Sequence, residues 1–248
     1  MTTPEPSCLV RRLSRYLDLT DRERALIAEM EKSEVAVAAQ QRIVSAGQPT
    51  GDILLLKSGW AALSARTAGT SEVCLVRIYL PGEIIGLAEI GAKVDPHDIT
   101  MLTEGHLCRF PHRRITDILT DLPRLGALFQ AIISLDQTAL RDRLAVQTLG
   151  SARARLAFFL VDLHARLLRA NPDMGRRYRL PMRQSDIGNA VGLTTVYVNR
   201  LLKEFEAEGL IDRQRPYIRL LNQPALAEMC GHVNRFDNMD TSWFPDPI

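Results

Sequence analysis

The sequence predicts an α+β chain: an N-terminal antiparallel β-roll of the jelly-roll kind, one long helix, and a C-terminal winged helix-turn-helix. Three observations carry this prediction. Between Val35 and Phe110 the chain is a series of short apolar runs broken by Gly and Pro, the pattern of an antiparallel sandwich or barrel. From Leu125 to Leu149 apolar residues recur in steps of three and four, a helical stripe of roughly 40 Å at 1.5 Å per residue. Gln184 to Lys203, QSDIGNAVGLTTVYVNRLLK, reads as two helices around a sharp turn, and a hairpin follows it.

Bulk properties exclude more than they assign. Apolar content is 46% and net charge +2 over 248 residues, so a packed globular chain of two modest domains is expected. Charge this small neither demands nor excludes nucleic acid, because its distribution matters more. Between Ser151 and Leu221, however, basic residues outnumber acidic ones. Apolar runs fall short of the roughly 20 residues that span a bilayer, and MTTPEPSCLV lacks a signal-peptide core. A cytoplasmic location without a membrane partner is expected. Cys8, Cys74, Cys108 and Cys230 are widely spaced, which suits reduced thiols better than a metal site. A Ser-His-Asp arrangement, a phosphate-cradling Gly loop and H-E-x-x-H are missing from the sequence, so catalytic residues and enzyme activity are not expected.

Taken in order, residues 1 to 8 are expected to be a loose tail. Leu9 to Met30 is helical in pattern, and Thr20 with Glu23 forms a capping box before Leu26, Ile27 and Met30. Strands are expected at Val35–Ala38, Gln41–Val44, Ile53–Lys57, Ala61–Arg66, Val73–Tyr79, Ile84-Ile85 and Leu107–Phe110. Ala46-Gly47-Gln48-Pro49, Lys57-Ser58-Gly59, Ala68-Gly69-Thr70 and Leu80-Pro81-Gly82-Glu83 supply turns. In the long helix, Leu125, Leu128, Ile132, Leu135, Ala139 and Val146 form a stripe that predicts dimerisation against a second copy. The other reading is a helix buried between domains. Asp142 interrupts the seam. A further helix is expected from Ser151 to Ala170, a short basic strand or loop at Arg176–Leu180, and a short helix at Pro224–Met229 before a loose tail. The domains are then residues 1–120, 121–150 and 151–225, with a tail at 226–248.

Within the helix pair, Ile187, Val191, Leu193, Val198, Leu201 and Phe205 face inward. Gly188 permits a close crossing, and Gly192 can take the positive φ of the turn. Thr194 caps the second helix. Thr195, Val196, Asn199, Arg200 and Lys203 are left on its outer face. Leu210–Arg213 and Tyr217–Leu220 around Gln214-Arg215-Pro216 form the wing. Helix, turn, helix and hairpin in this order place the second helix in a DNA major groove. Arg200 is the candidate for a guanine. Thr195 and Val196 suit a thymine methyl. Arg183, Ser185, Thr194 and Lys203 complete the candidate contacts with double-stranded DNA, Arg183 and Lys203 to phosphate. Asn199 either reads a base or is a polar surface residue packing on the wing. The alternative function is a ligand-binding signalling module whose winged helix docks on protein. That calls for an acidic or apolar outer face, whereas Arg183, Arg200, Lys203, Arg213, Arg215 and Arg219 make this one basic.

LPMRQSDIGNAVGLTTVYVNRLLKEFEAEGLI at residues 180–211, with IIGLAEI after Leu80-Pro81-Gly82-Glu83, resembles the Crp/Fnr family of bacterial transcription regulators. The resemblance spans residues 9 to 225, and G-L-T-x-V-Y-V-N-R looks most like its alphaproteobacterial branches. It implies a homodimer reading a pseudo-palindrome, RNA polymerase as a partner, and a cyclic-nucleotide-binding-like β-roll. Gly86, Leu87, Ala88, Asp98 and Thr100 are then the effector-pocket candidates. Leu87 stands where nucleotide-binding members carry a glutamate, and Asp95 to Thr100 lacks the family's arginine. Cyclic AMP is therefore not expected as effector; another small molecule, or none, is. Iron–sulfur members use a tight N-terminal cysteine cluster, where this chain has Cys8 alone. Haem-binding members use a β-domain histidine; His97, His106 and His112 are available but read as surface residues. A cofactor is not expected. Arg183 replaces the family's Thr at the start of the first helix, so a neutral phosphate contact becomes a charged one.

Overall fold

The computed structural model describes residues 7–66 and 73–247. The Ala68-Gly69-Thr70 turn and residues 1–6 of the expected tail lie outside them. The described chain divides into two compact units. The first comprises residues 7–62, 78–136 and 236–247, and the second residues 63–66, 73–77 and 137–235.

The N-terminal unit begins with α1 (Cys8–Leu13) and α2 (Asp21–Met30). Ser7 Oγ caps α1 by accepting from Val10 N–H at 3.0 Å, so the helix starts inside the stretch expected to be loose. The Thr20 box forms as predicted: Glu23 N–H donates to Thr20 Oγ1 at 3.2 Å and Thr20 N–H to Glu23 Oε2 at 2.7 Å. The strands are β1 (Glu34–Val37), β2 (Arg42–Val44), β3 (Ile53–Ser58), β4 (Ala61–Arg66), β5 (Val73–Tyr79), β6 (Ile84–Ile85), β7 (Asp98–Met101) and β8 (Gly105–Phe110). They form two four-stranded sheets, ordered β1-β8-β3-β6 and β2-β7-β4-β5. Ile53 to Leu56 are buried without alternation, as expected of a strand covered on both faces. Strand β7, Asp-Ile-Thr-Met, is not among the expected strands; Ile99 and Met101 are its buried side.

Helices α3 (Arg113–Asp121) and α4 (Pro123–Leu149) follow, meeting at a bend of 119°. Among the described residues no single helix is long and apolar enough to cross a membrane. The first turns of α4 correct the predicted seam. Leu125 and Leu128 are fully buried in one cluster with Leu9, Leu13, Ile27, Ile53 and Phe110, and Ile132 packs against that cluster. These three belong to the core of their own chain. Leu135, Ala139 and Val146 are half-buried. The large apolar side chains that α4 exposes are Leu140, Leu144 and Leu149.

A buried ion pair also ties this unit together. Arg12 Nη1 lies 3.2 Å from Glu83 Oε1, with both side chains nearly inaccessible. Glu83 follows the Leu80-Pro81-Gly82 turn, where Gly82 has φ +83° and a Cβ would approach Cys8 O to 3.2 Å. The left-handed backbone and the close approach both require glycine there.

The second unit contains α5 (Ala152–Ala170), a 3-10 turn at Pro172–Met174, β9 (Arg177–Arg179), α6 (Gln184–Val191), α7 (Thr195–Ala207), β10 (Ile211–Gln214), β11 (Tyr217–Leu220) and α8 (Gln223–Cys230). The three strands form one antiparallel sheet ordered β10-β11-β9. Helix α8 packs on α5, so the fold runs past the predicted boundary at residue 225. The tail is not loose either. Arg235 donates to both oxygens of Asp142 at 2.6 and 2.9 Å, which gives the expected seam carboxylate a partner in its own chain. Phe236 is buried beside Tyr16, and Met239 and Phe244 pack against the N-terminal core.

Candidate nucleic-acid interface

Helices α6 and α7 are joined where the sequence placed the turn. Gly192 adopts φ +65°, ψ 43° as the C-cap of α6, and Leu193 N–H donates to Gly188 O at 3.0 Å. A Cβ on Gly188 would stand 2.5 Å from Leu193 O, so this glycine makes room for the turn itself. Thr194 Oγ1 accepts from Tyr197 N–H at 3.3 Å and caps α7. Ile187, Ala190 and Val191 of α6 and Val198, Leu201, Leu202 and Phe205 of α7 are buried.

This packing fixes what α7 presents outward. Thr194, Thr195, Val196, Arg200 and Lys203 are exposed, as are Arg183 and Ser185 at the start of α6. Val196, an apolar residue, is 81% exposed. Arg200 lies over the Tyr197 ring at 4.3 Å, with Nε 3.5 Å from Glu204 Oε1. Asn199 is half-buried, and its Oδ1 accepts from Gln184 Nε2 at 3.0 Å. This bond pins α7 to the start of α6, and its partner is not on the wing. Asp186 accepts from Arg183 N–H at 2.9 Å, leaving the Arg183 side chain outside the cap. Between the start of α6 and the wing lies a groove of about 340 Å³ whose walls include Met182, Arg183, Arg213, Arg215 and Tyr217. Arg213 is held by Glu206 at 2.8 Å.

The frame behind this face was not legible in the sequence. Arg153 of α5 donates to both oxygens of Glu208 at 2.8 and 2.6 Å and to Glu204 at 3.3 Å, fastening the end of α7. These bonds hold the Glu208 carboxyl below its ordinary range, chiefly through the hydrogen bond from Arg153. Three further side chains hold the turn by its carbonyls. Arg143 and Gln147 of α4 donate to Ala190 O at 2.8 and 3.2 Å, and Arg155 of α5 to Gly192 O at 3.3 Å. A cation at the C-terminal end of a helix satisfies orphan carbonyls and favours the helix dipole. An Arg in an amphipathic pattern carries no sign of such a role; only the packing reveals it.

The effector candidates are not assembled in the same way. Leu87 packs against the N-terminal core, and Ala88 is exposed. Asp98 accepts from Ala46 N–H at 3.0 Å and sits 3.7 Å from Arg42. Thr100 pairs with Arg42 across β2 and β7, and Gly86 takes φ +90°. All four cysteines are free thiols. Burial raises the Cys8 and Cys230 thiols and pushes Cys108 up to about 11, so these three are held protonated at neutral pH.

A β-roll, a long helix and a winged helix with a basic recognition face define a two-domain DNA-binding regulator. Residues 154–229 match the Crp-like helix-turn-helix domain and residues 34–121 the cyclic nucleotide-binding domain. The chain therefore belongs to the Crp/Fnr family of DNA-binding transcription regulators, a family of regulators and not of enzymes. It is similar to the fumarate and nitrate reduction regulatory protein of Escherichia coli (strain K12), at 25% identity over 226 residues, 91% of this chain and 90% of that protein. It is equally similar to the transcriptional activator protein anr of Pseudomonas aeruginosa, at 25% over 225 residues, 90% and 91% of the two chains. Its fold resembles FixK2 from Bradyrhizobium japonicum, with TM-score 0.70 and 18% identity, covering 79% of this chain and 96% of that one. A CooA mutant from Carboxydothermus hydrogenoformans gives TM-score 0.65 and 18% identity over 91% and 96%.

Proposed function

We propose that this regulator binds a pseudo-palindromic DNA site as a homodimer, recruits or contacts RNA polymerase, and answers to an effector other than cyclic AMP or to none. The observation that carries the reading is the outer face of α7. A buried inner stripe holds the helix while Thr195, Val196, Arg200 and Lys203 are exposed on the side that would enter a major groove. Arg200 is the base reader, pairing with O6 and N7 of a guanine once it leaves Glu204. Arg183, Lys203 and the groove beside the wing follow the phosphates, which position the protein without reading sequence. The dimer seam is the stripe of α4 formed by half-buried Ile133 and exposed Gln137, Leu140 and Leu144, in steps of four, three and four.

Arg200→Ala tests the reading. It is expected to cost roughly 1–3 kcal/mol per half-site and to relax selectivity at one base position. Binding titrations against duplexes varied one position at a time measure both. An unchanged affinity and base preference would remove Arg200 from the interface.

A further inference from the structure

Strand β5 lies at the edge of its sheet, in the order β2-β7-β4-β5. An edge strand has main-chain groups that its own sheet does not pair. Arg143, on α4, donates to two main-chain carbonyls of this strand, those of Leu75 and Val76, the former at 2.9 Å. The same guanidinium donates to Ala190 O at the end of α6, at 2.8 Å. All these residues belong to the second unit, which also holds residues 63–66 of β4. One side chain thus bonds a β-roll strand, the long helix and the first helix of the DNA-reading pair.

We propose that Arg143 is a positioning residue that couples the β5 edge strand to the helix-turn-helix, so that displacement of β5 resets the angle at which α7 is offered to DNA. Three features support the coupling over a simple structural bond. The acceptors are main-chain carbonyls, so the tie follows the backbone position of each element and not a mobile side chain. A guanidinium is a rigid planar fork, and moving one acceptor misaligns the others. Ala190 O is also bonded by Gln147, and Gly192 O by Arg155, so the pull is delivered to a turn whose geometry is otherwise fixed. The neighbouring residue is Cys74, an exposed thiol on β5, which marks this strand as reachable from solvent.

The coupling is reciprocal: what β5 does to α6, DNA bound at α7 must do to β5. The experiment is hydrogen exchange on the full-length protein and on Arg143→Met, free and on a selected duplex. Met keeps much of the aliphatic stem and removes every donor. In the free protein the substitution is expected to speed exchange at least about threefold both in the 73–79 peptide and across the 187–193 turn, leaving β3 and β8 unchanged. In wild type, DNA is expected to slow exchange in 73–79, remote from the recognition face, and this slowing is expected to vanish in the variant. The coupling is overturned if only one of the two segments loosens, if DNA leaves 73–79 unchanged in wild type, or if the variant still transmits the protection. Arg143→Lys, which keeps the charge and loses the fork, takes the same test should Arg143→Met not fold. The DNA arm rests on the proposed function; the free-protein arm does not, so failure of duplex binding and failure of the coupling are told apart.

Discussion

The two halves of α4 carry the same kind of side chain to different ends. Leu125 and Leu128 have no exposure and share a core with α1, α2 and β3, whereas Leu140 and Leu144 are 42% and 65% exposed. Apolar periodicity identifies a face of a helix; it does not say whether the chain itself or a second copy will cover that face. The first half is covered because one antiparallel sheet and the short helices α1, α2 and α3 leave it a place in their core. The second half runs on past that core, and its uncovered apolar side chains are where association is expected.

The largest expected effect lies in the N-terminal unit that buries the first half. Glu83→Gln leaves Arg12 as an uncompensated buried charge and is expected to cost roughly 3–5 kcal/mol of unfolding free energy, read by urea denaturation. The ion pair of the other half, Asp142 with Arg235, is solvent-exposed, with side chains 28% and 38% accessible, and Asp142→Asn is expected to leave stability unchanged within error. Equal losses from both would abolish the distinction.

Leu128→Ala comes next, at about 2–5 kcal/mol for a deleted core side chain, with native mass unchanged. Leu140→Glu with Leu144→Glu is expected to do the reverse, yielding folded monomers by sedimentation while the melting curve stays cooperative. A monomeric Leu128→Ala, or a dimeric double variant, would return the seam to the stripe that the sequence suggested.

A smaller effect separates the units by pH. His164 is buried against Tyr178, donating from Nε2 to Gly175 O at 2.8 Å. Burial lowers its pKa from the ordinary 6.5. The unfolded chain therefore takes up the proton first, and the stabilising contribution is complete above pH 6.5 and is lost as the pH falls through the lower folded value. Thermal melts of the wild type should weaken over that interval, and His164→Gln should remove that part of the slope. A slope that survives the substitution would assign the effect elsewhere.

The smallest expected effect is at the DNA face. Lys203→Ala is expected to weaken binding to all duplexes alike and to lower the salt slope by about one contact per subunit. A change confined to one base position would make Lys203 a reader of sequence.

What the sequence made legible follows from how local each signal is. The winged helix was readable nearly to the residue because a glycine at the turn, a threonine cap and a helical apolar stripe are all short-range. The capping box at Thr20 was readable for the same reason. Strand β7 was missed because Asp-Ile-Thr-Met is too short and too polar to alternate convincingly. The C-terminal segment was misread because isolated Phe236, Met239 and Phe244 carry no period; their burial depends on a core assembled far away in sequence. The roles of Arg143, Arg153 and Asn199 depend on carbonyls, carboxylates and amides from other elements, which no spacing rule encodes. The stripe of α4 was seen, but that Leu125, Leu128 and Ile132 are covered by their own chain depends on a core its period does not encode.

The central claim, a dimer reading two related half-sites through α7, is tested most directly by selection from random duplex DNA. Wild type and the Leu140→Glu, Leu144→Glu double variant are selected in parallel. The account predicts that wild type enriches a two-fold-related pair of half-sites about one helical turn apart, roughly 10 base pairs, and that the double variant enriches at most a single weak half-site. Wild type that enriches no two-fold-related motif, or a monomeric variant that enriches the full one, would contradict it.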